Sequence, residues 1–116
     1  MTKYGNVDAW KSFVRVFNYL PLAAVVGGEI FCVHGGLTPK ADTFDKIRQL
    51  DRIQETPINE SVIHELLLGD PDNDQRGWGI RRSAGFNFGP DITEDFCNRN
   101  GVKMMIRSRS LKMMGY

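Results

Sequence analysis

Two β-rich runs, Ala23-Ala24-Val25-Val26 and Glu29-Ile30-Phe31-Cys32-Val33, are separated by Gly27-Gly28. No other feature constrains the chain as strongly. A Gly-Gly pair between such runs supplies the positive φ angles of a tight turn, so an antiparallel hairpin is expected over Ala23–Val33. The second run is mostly apolar, as in a strand buried on both faces. It stops abruptly at His34-Gly35-Gly36-Leu37-Thr38-Pro39. A histidine thus stands where a buried strand meets a glycine loop, a position at which folds commonly present functional groups.

Val7, Trp10, Phe13, Val14, Phe17 and Leu20 recur at helical spacing. They predict an amphipathic helix over Asp8–Tyr19, with Asn6 as N-cap and Pro21 as its stop. Its aromatic face is expected to pack into the core. Thr43–Leu50 reads as a short helix capped by Asp42 or Thr43, and Ser61–Leu68 as another. From Gly69 to Pro90 regular periodicity disappears. That glycine-rich stretch reads as a long functional loop, packed by Trp78, Phe86 and Phe88. A helix is expected over Asp91–Asn98, with capping-box spacing at Asp91 and Glu94 and a C-terminal signal at Asn100-Gly101. Val102–Ile106 reads as a strand near the hairpin, and Arg107-Ser108-Arg109-Ser110 follows it. This order predicts an α/β or α+β fold in a single unit, residues 1–116.

With 116 residues, 41% hydrophobic and 25% charged, the chain is one ordinary globular domain or a piece of a larger one. The net charge of +1 gives no bulk field for nucleic acid or an anionic membrane, and neither is expected as a partner. The longest apolar stretch, Leu20–Val26, contains Pro21 and is far too short to span a bilayer. MTKYGN carries no signal-peptide core. Two cysteines make no disulfide framework, so free thiols in a reducing compartment, the cytoplasm or the nucleus, are expected.

Two strand ends therefore carry candidate site residues, His34 and the Arg107/Arg109 pair, with Asp70 and Arg81-Arg82 in the stretch between them. Imidazole binds metal or shuttles protons near neutrality. The arginine fork matches phosphate oxygens. His, Asp and several Arg together suit a phosphorylated substrate. The competing reading makes His34 structural and the arginines a solvated surface. His64 is expected at the surface and Cys32 as a small core residue. Cys97, mid-helix, has no neighbours that would make it a nucleophile. No P-loop, dinucleotide fingerprint or zinc-protease motif occurs.

At Phe31-Cys32-Val33-His34-Gly35-Gly36-Leu37-Thr38-Pro39 the chain resembles the metal-dependent phosphoprotein serine/threonine phosphatases, nearest the type 2A, 4 and 6 branch. Further blocks match in the same order. They are Lys3-Tyr4-Gly5-Asn6, Tyr19-Leu20-Pro21-Leu22, Ile47-Arg48-Gln49-Leu50-Asp51-Arg52, Leu66-Leu67 with Asp70-Pro71-Asp72, Gly77-Trp78-Gly79-Ile80 and Arg82-Ser83-Ala84-Gly85-Phe86-Asn87-Phe88-Gly89. Residues 107–110 are a counterpart of the family's Arg-Ala-His-Gln segment, and the similarity covers nearly the whole chain.

The resemblance implies part of a metallophosphatase β-sandwich with flanking helices. It implies two divalent metal ions (manganese, iron or zinc) activating a water that attacks phosphoserine or phosphothreonine. It implies that His34 is a metal ligand, that Arg82 grips the substrate phosphate and that Asp70 lines the cleft. Phosphoproteins would be substrates, and regulatory or scaffold subunits partners. The family's Gly-Asp-x-His-Gly, Gly-Asp-x-Val-Asp-Arg-Gly and Gly-Asn-His-Glu motifs do not occur here. The family's C-terminal strands and the tyrosine beyond them are missing as well. Arg109 stands where the family has a second late histidine ligand, and a guanidinium cannot coordinate a cation. Leu68-Gly69 replaces the family's Trp-Ser. Three readings follow: a phosphatase whose remainder lies outside this chain, a pseudophosphatase or binding module, and a truncated product with no role of its own. The complete metal site and turnover are not expected from this chain alone.

Overall fold

The computed structural model describes residues 5–53, 61–80 and 85–110. It is a mixed α/β fold in the order α1 (Asp8–Phe17), β1 (Ala23–Val26), β2 (Ile30–Val33), α2 (Phe44–Arg48), α3 (Val62–Leu68), β3 (Asp70–Pro71), β4 (Trp78–Ile80), β5 (Phe86–Phe88), α4 (Pro90–Asn100) and β6 (Met104–Arg107).

The hairpin forms as the Gly-Gly pair requires. β1 and β2 pair antiparallel from Ala23↔Val33 to Val26↔Ile30, and Gly27 and Gly28 take φ of 61° and 72°. Only glycine adopts two successive positive φ angles without Cβ strain. β6 then lies parallel to β2, with Cys32 opposite Ile106 and Val33 opposite Arg107. The first sheet has the order β1-β2-β6 and the second β3-β5-β4.

Alternation along β2 sends Phe31 and Val33 into the core and leaves Ile30 and Cys32 half-buried on the other face. Cys32 is therefore not the core residue expected of it. A strand's side chains alternate, and the core lies on one face only. Leu37, Phe88, Phe96 and Val102 complete the core, so both sheets and α4 share it. Phe31 stacks on Phe44 at 5.3 Å between ring centres and meets Phe96 at 5.0 Å, which seats α2 and α4 on the first sheet.

Local caps follow the sequence in part. Thr43 and Ser61 cap α2 and α3, accepting from Lys46 N–H and His64 N–H. Gly101 ends α4 in the left-handed region at φ 68°. At α1 the N-cap is Val7, while Asn6 Oδ1 accepts from Asp8 N–H in a local turn. The capping box expected at Asp91 and Glu94 does not form. Gly89 is the N-cap of α4, and the Asp91 carboxylate instead accepts from Gly77 N–H, 3.0 Å away. Because Pro90 is the first helical residue, Asp91 lies inside the first turn rather than at the N-cap position from which a side chain could accept from Glu94 N–H.

Two further expectations fail. The stretch from Gly69 to Pro90 is not all loop: β3, β4 and β5 occupy it. Strands of two and three residues are too short for alternation to show in the sequence, and their partners are distant. The aromatic face of α1 is also not core. Trp10, Phe13 and Phe17 remain 67%, 66% and 59% exposed, and α1 contributes no buried residue. The core is filled from the sheets, α3, α4 and the His34 loop, and α1 lies outside it. His64, expected at the surface, is half-buried beside the buried Ile63 and Glu65.

Candidate functional site

The parallel pairing of β2 and β6 brings both C-terminal ends to one edge of the sheet. In open α/β sheets such strand ends are where ligands bind. Here they join His34 to residues 107–110. The His34 carbonyl accepts from Ser108 N–H at 3.2 Å and from Arg109 N–H at 3.0 Å. The exposed imidazole has Nδ1 3.2 Å from Ser108 Oγ.

Two glycines make this junction compact. Gly35 and Gly36 N–H both donate to the Leu66 carbonyl at 3.1 Å, which ties the loop to α3. A Cβ on Gly35 would overlap the Leu67 carbonyl, and one on Gly36 would overlap the Phe88 ring. The loop is fixed again by Glu65, a buried acid on α3. Its carboxylate accepts from the buried Thr38 hydroxyl and pairs with Lys40 Nζ at 2.6 Å.

Beneath the junction lies an ion pair. Arg107 Nη2 is 2.6 Å from Asp70 Oδ1, with the side chains only 10% and 19% exposed. Arg107 Nε also donates to the Gly35 carbonyl at 2.6 Å, and Ser110 Oγ donates to Asp70 Oδ1 at 2.7 Å. Thus β3, the His34 loop and the end of β6 are bolted together through one guanidinium. Arg109 is the half-buried neighbour, and its Nη1 donates to the Leu68 carbonyl at 3.1 Å. That carbonyl belongs to the last residue of α3, where a cation meets the negative end of the helix dipole.

Of the site residues read from the sequence, His34, Asp70 and Arg109 therefore meet at one edge. Asp70 is held by Arg107 and Ser110 rather than offered as a bare acid. Arg82 lies outside the described residues. The roles of Arg107 as a bolt and Glu65 as a loop anchor were not anticipated. The sequence singled out Arg107 only as half of a phosphate-matching pair, and Glu65 finds its partners 25 and 27 residues away.

Along the open face of the first sheet, a groove of about 350 Å³ runs from Pro21 and Leu22 past Cys32 and Ile106 to His34. No three His, Cys, Asp or Glu side chains converge on a point that could hold a cation among the described residues. His34 is a single nitrogen donor with guanidinium groups nearby. This donor set does not fit a centre of two divalent ions, which needs several oxygen and nitrogen donors.

The family model described as calcineurin-like phosphoesterase matches residues 1–108. Among solved structures, a protein serine/threonine phosphatase from Saccharomyces cerevisiae, described as similar to human phosphatase PP5, matches with a TM-score of 0.83 and 32% identity. The match covers 97% of this chain and 35% of that one, so the chain spans about a third of the yeast protein's length.

Proposed function

The chain belongs to the calcineurin-like phosphoesterase family, and from that premise we propose that it carries the His34 edge of a phosphoserine/phosphothreonine phosphatase site. The observation that supports this reading is the meeting of the β2 and β6 ends, where an exposed histidine sits on a rigid bolt of Asp70 and Arg107. A rigid second layer is what a site needs if its reacting groups are to be held in place.

Each residue has a stated task in this proposal. His34 offers the edge one nitrogen for a cation or a proton. Asp70 and Arg107 hold its loop, and Arg82 grips a phosphate oxygen pair. Phosphoproteins are the proposed substrates. Regulatory or scaffold chains are the proposed partners, and a reducing compartment such as the cytoplasm or nucleus is the proposed setting. When bound, divalent ions would supply the activated water of the complete family domain. The residues described here do not by themselves form that centre, and we assign no turnover to the chain alone. Arg109 favours a second reading, a binding module derived from a phosphatase. Its guanidinium is engaged by Leu68 and has no lone pair for a metal.

The test is a phosphopeptide assay with manganese beside calorimetric titration of manganese. The unmodified chain and Arg109→His are both expected to release no phosphate and to bind no ion tightly. Metal-dependent turnover by the unmodified chain would overturn the assignment of inactivity.

A further inference from the structure

The register of the first sheet carries one step past the paired strands. Val33 lies opposite Arg107, and the next residues along are His34 and Ser108. Ser108 N–H and Arg109 N–H both donate to the His34 carbonyl, so the two chains stay in step there. Matching positions of a parallel pair put their side chains on one face. Hence the imidazole Nδ1 comes within 3.2 Å of Ser108 Oγ. The neighbouring guanidinium groups are engaged elsewhere: Arg107 reaches Asp70 and the Gly35 carbonyl, and Arg109 reaches the Leu68 carbonyl. Among the described residues, Ser108 supplies the ring's one hydrogen bond, and Nε2 has none.

Ser108 stands at the alanine of the Arg-Ala-His-Gln segment that residues 107–110 match. An alanine makes no side-chain hydrogen bond, so this contact belongs to this chain and not to the family pattern. Arg109 stands at the histidine of the same segment, which leaves His34 as the imidazole of this edge. Which of its two nitrogens faces outward then decides what the edge can offer.

Turning the ring by half a turn exchanges Nδ1 with Cδ2 and Nε2 with Cε1. A methyl group at position 108 does not choose between these orientations by hydrogen bonding. A hydroxyl does, because it bonds to the nitrogen and not to the C–H. A hydroxyl also accepts as well as donates. It accepts from Nδ1–H when Nε2 is bare, and it donates to Nδ1 when Nε2 carries the proton. A carboxylate or a backbone carbonyl in its place would only accept, and would fix a single tautomer.

We propose that Ser108 is a positioning residue: it pins Nδ1 of His34 and keeps Nε2 as the outward nitrogen, which offers a lone pair or a proton without the ring turning. Its functional meaning rests on His34 being a site residue, whereas the pinning itself is measurable without any ligand. One net hydrogen bond favours the pinned orientation roughly 2- to 10-fold.

The first measurement is the set of NOEs from the β-protons of residue 108 to the His34 ring protons, in the whole 116-residue chain at about pH 8, where imidazole is neutral. Hε1 adjoins Nδ1 and Hδ2 does not. The parent should therefore show a strong cross-peak to Hε1 and a weak one to Hδ2. Ser108→Ala should raise the Hδ2 cross-peak several-fold, and Ser108→Thr, which keeps the hydroxyl, should restore the parent's pattern. Residue 108 is exposed, so the melting temperature should not move with these changes. Cross-peaks of equal strength in the parent overturn the proposal, and so does an alanine variant whose pattern matches the parent's.

The second measurement adds trace manganese. Nε2 lies between the two ring C–H groups, whereas Nδ1 adjoins only Cε1–H. An ion at Nε2 should broaden Hδ2 and Hε1 alike in the parent and in Ser108→Thr, and Ser108→Ala should show Hε1 broadened more. Stronger broadening of Hε1 in the parent overturns the proposal. If manganese broadens neither proton while the NOE pattern holds, the cation reading of the edge fails and the positioning by Ser108 stands.

Discussion

Replacing Asp70 by Asn removes one charge from beneath the site and keeps the shape. Arg107 is then a guanidinium with 10% of its side chain in water and no anion at 2.6 Å. Breaking a buried pair from one side costs about 3–5 kcal/mol, because the remaining charge stays desolvated. Three features soften that figure here. Asn still offers an acceptor, the Gly35 carbonyl still accepts from Nε, and Ser110 Oγ lies 3.2 Å from both Nη atoms. Some water also reaches Asp70, which is 19% exposed. The expected loss is therefore ~2–3 kcal/mol, a large part of the roughly 5–15 kcal/mol that stabilises a typical domain. In a chain of this size it lowers the melting temperature by about 10 °C.

The assay is urea unfolding followed by circular dichroism at low protein concentration, with Arg107→Met made alone and together with Asp70→Asn. If the pair acts as a bolt, the double variant is more stable than the sum of the two single losses allows, by ~1–2 kcal/mol. An Asp70→Asn loss below about 0.5 kcal/mol would place the pair among surface ion pairs and refute the reasoning.

Gly35→Ala should destabilise by ~1–3 kcal/mol, because the new methyl meets Leu67 backbone that cannot rotate away. Thermal melting reads the loss, NMR shifts of His34 and Ser108 read the displaced loop, and a variant that melts with the parent would sink the argument. Asp42 is held below the usual carboxylate range, chiefly by its hydrogen bond from Lys46, with Arg99 also nearby. A lowered folded pKa contributes stability that is present above the unfolded value and lost as pH falls through the folded one. Hence the parent should lose a few tenths of a kcal/mol more than Asp42→Asn between about pH 5 and pH 2. Urea midpoints against pH would show it, and parallel curves would contradict it.

Elements made by neighbours in sequence were legible in advance. The hairpin follows from Gly27-Gly28, α2 from its Thr43 cap, α3 from the run Ser61–Leu68, and the end of α4 from Gly101, whereas the Ser61 cap emerged only in the structure. The candidate edge was half legible. His34 and Arg109 were marked by strand ends and glycines, whereas the work of Arg107 and Glu65 was not. Their partners, Asp70 for the one and Thr38 and Lys40 for the other, are brought to them only by folding.

By itself the sequence determined where the chain turns, which runs are helical or extended, and which family motif His34 belongs to. These depend on φ preferences, caps and side-chain period, which act over a few residues. The tertiary structure alone decided that β6 runs parallel to β2, that β3, β4 and β5 emerge from an aperiodic stretch, and that Asp91 serves Gly77 rather than its own helix. It also decided that the aromatic stripe of α1 faces outward. Amphipathic spacing specifies that a face must be covered. What covers it depends on which surfaces the rest of the fold brings near, and no local pattern encodes that.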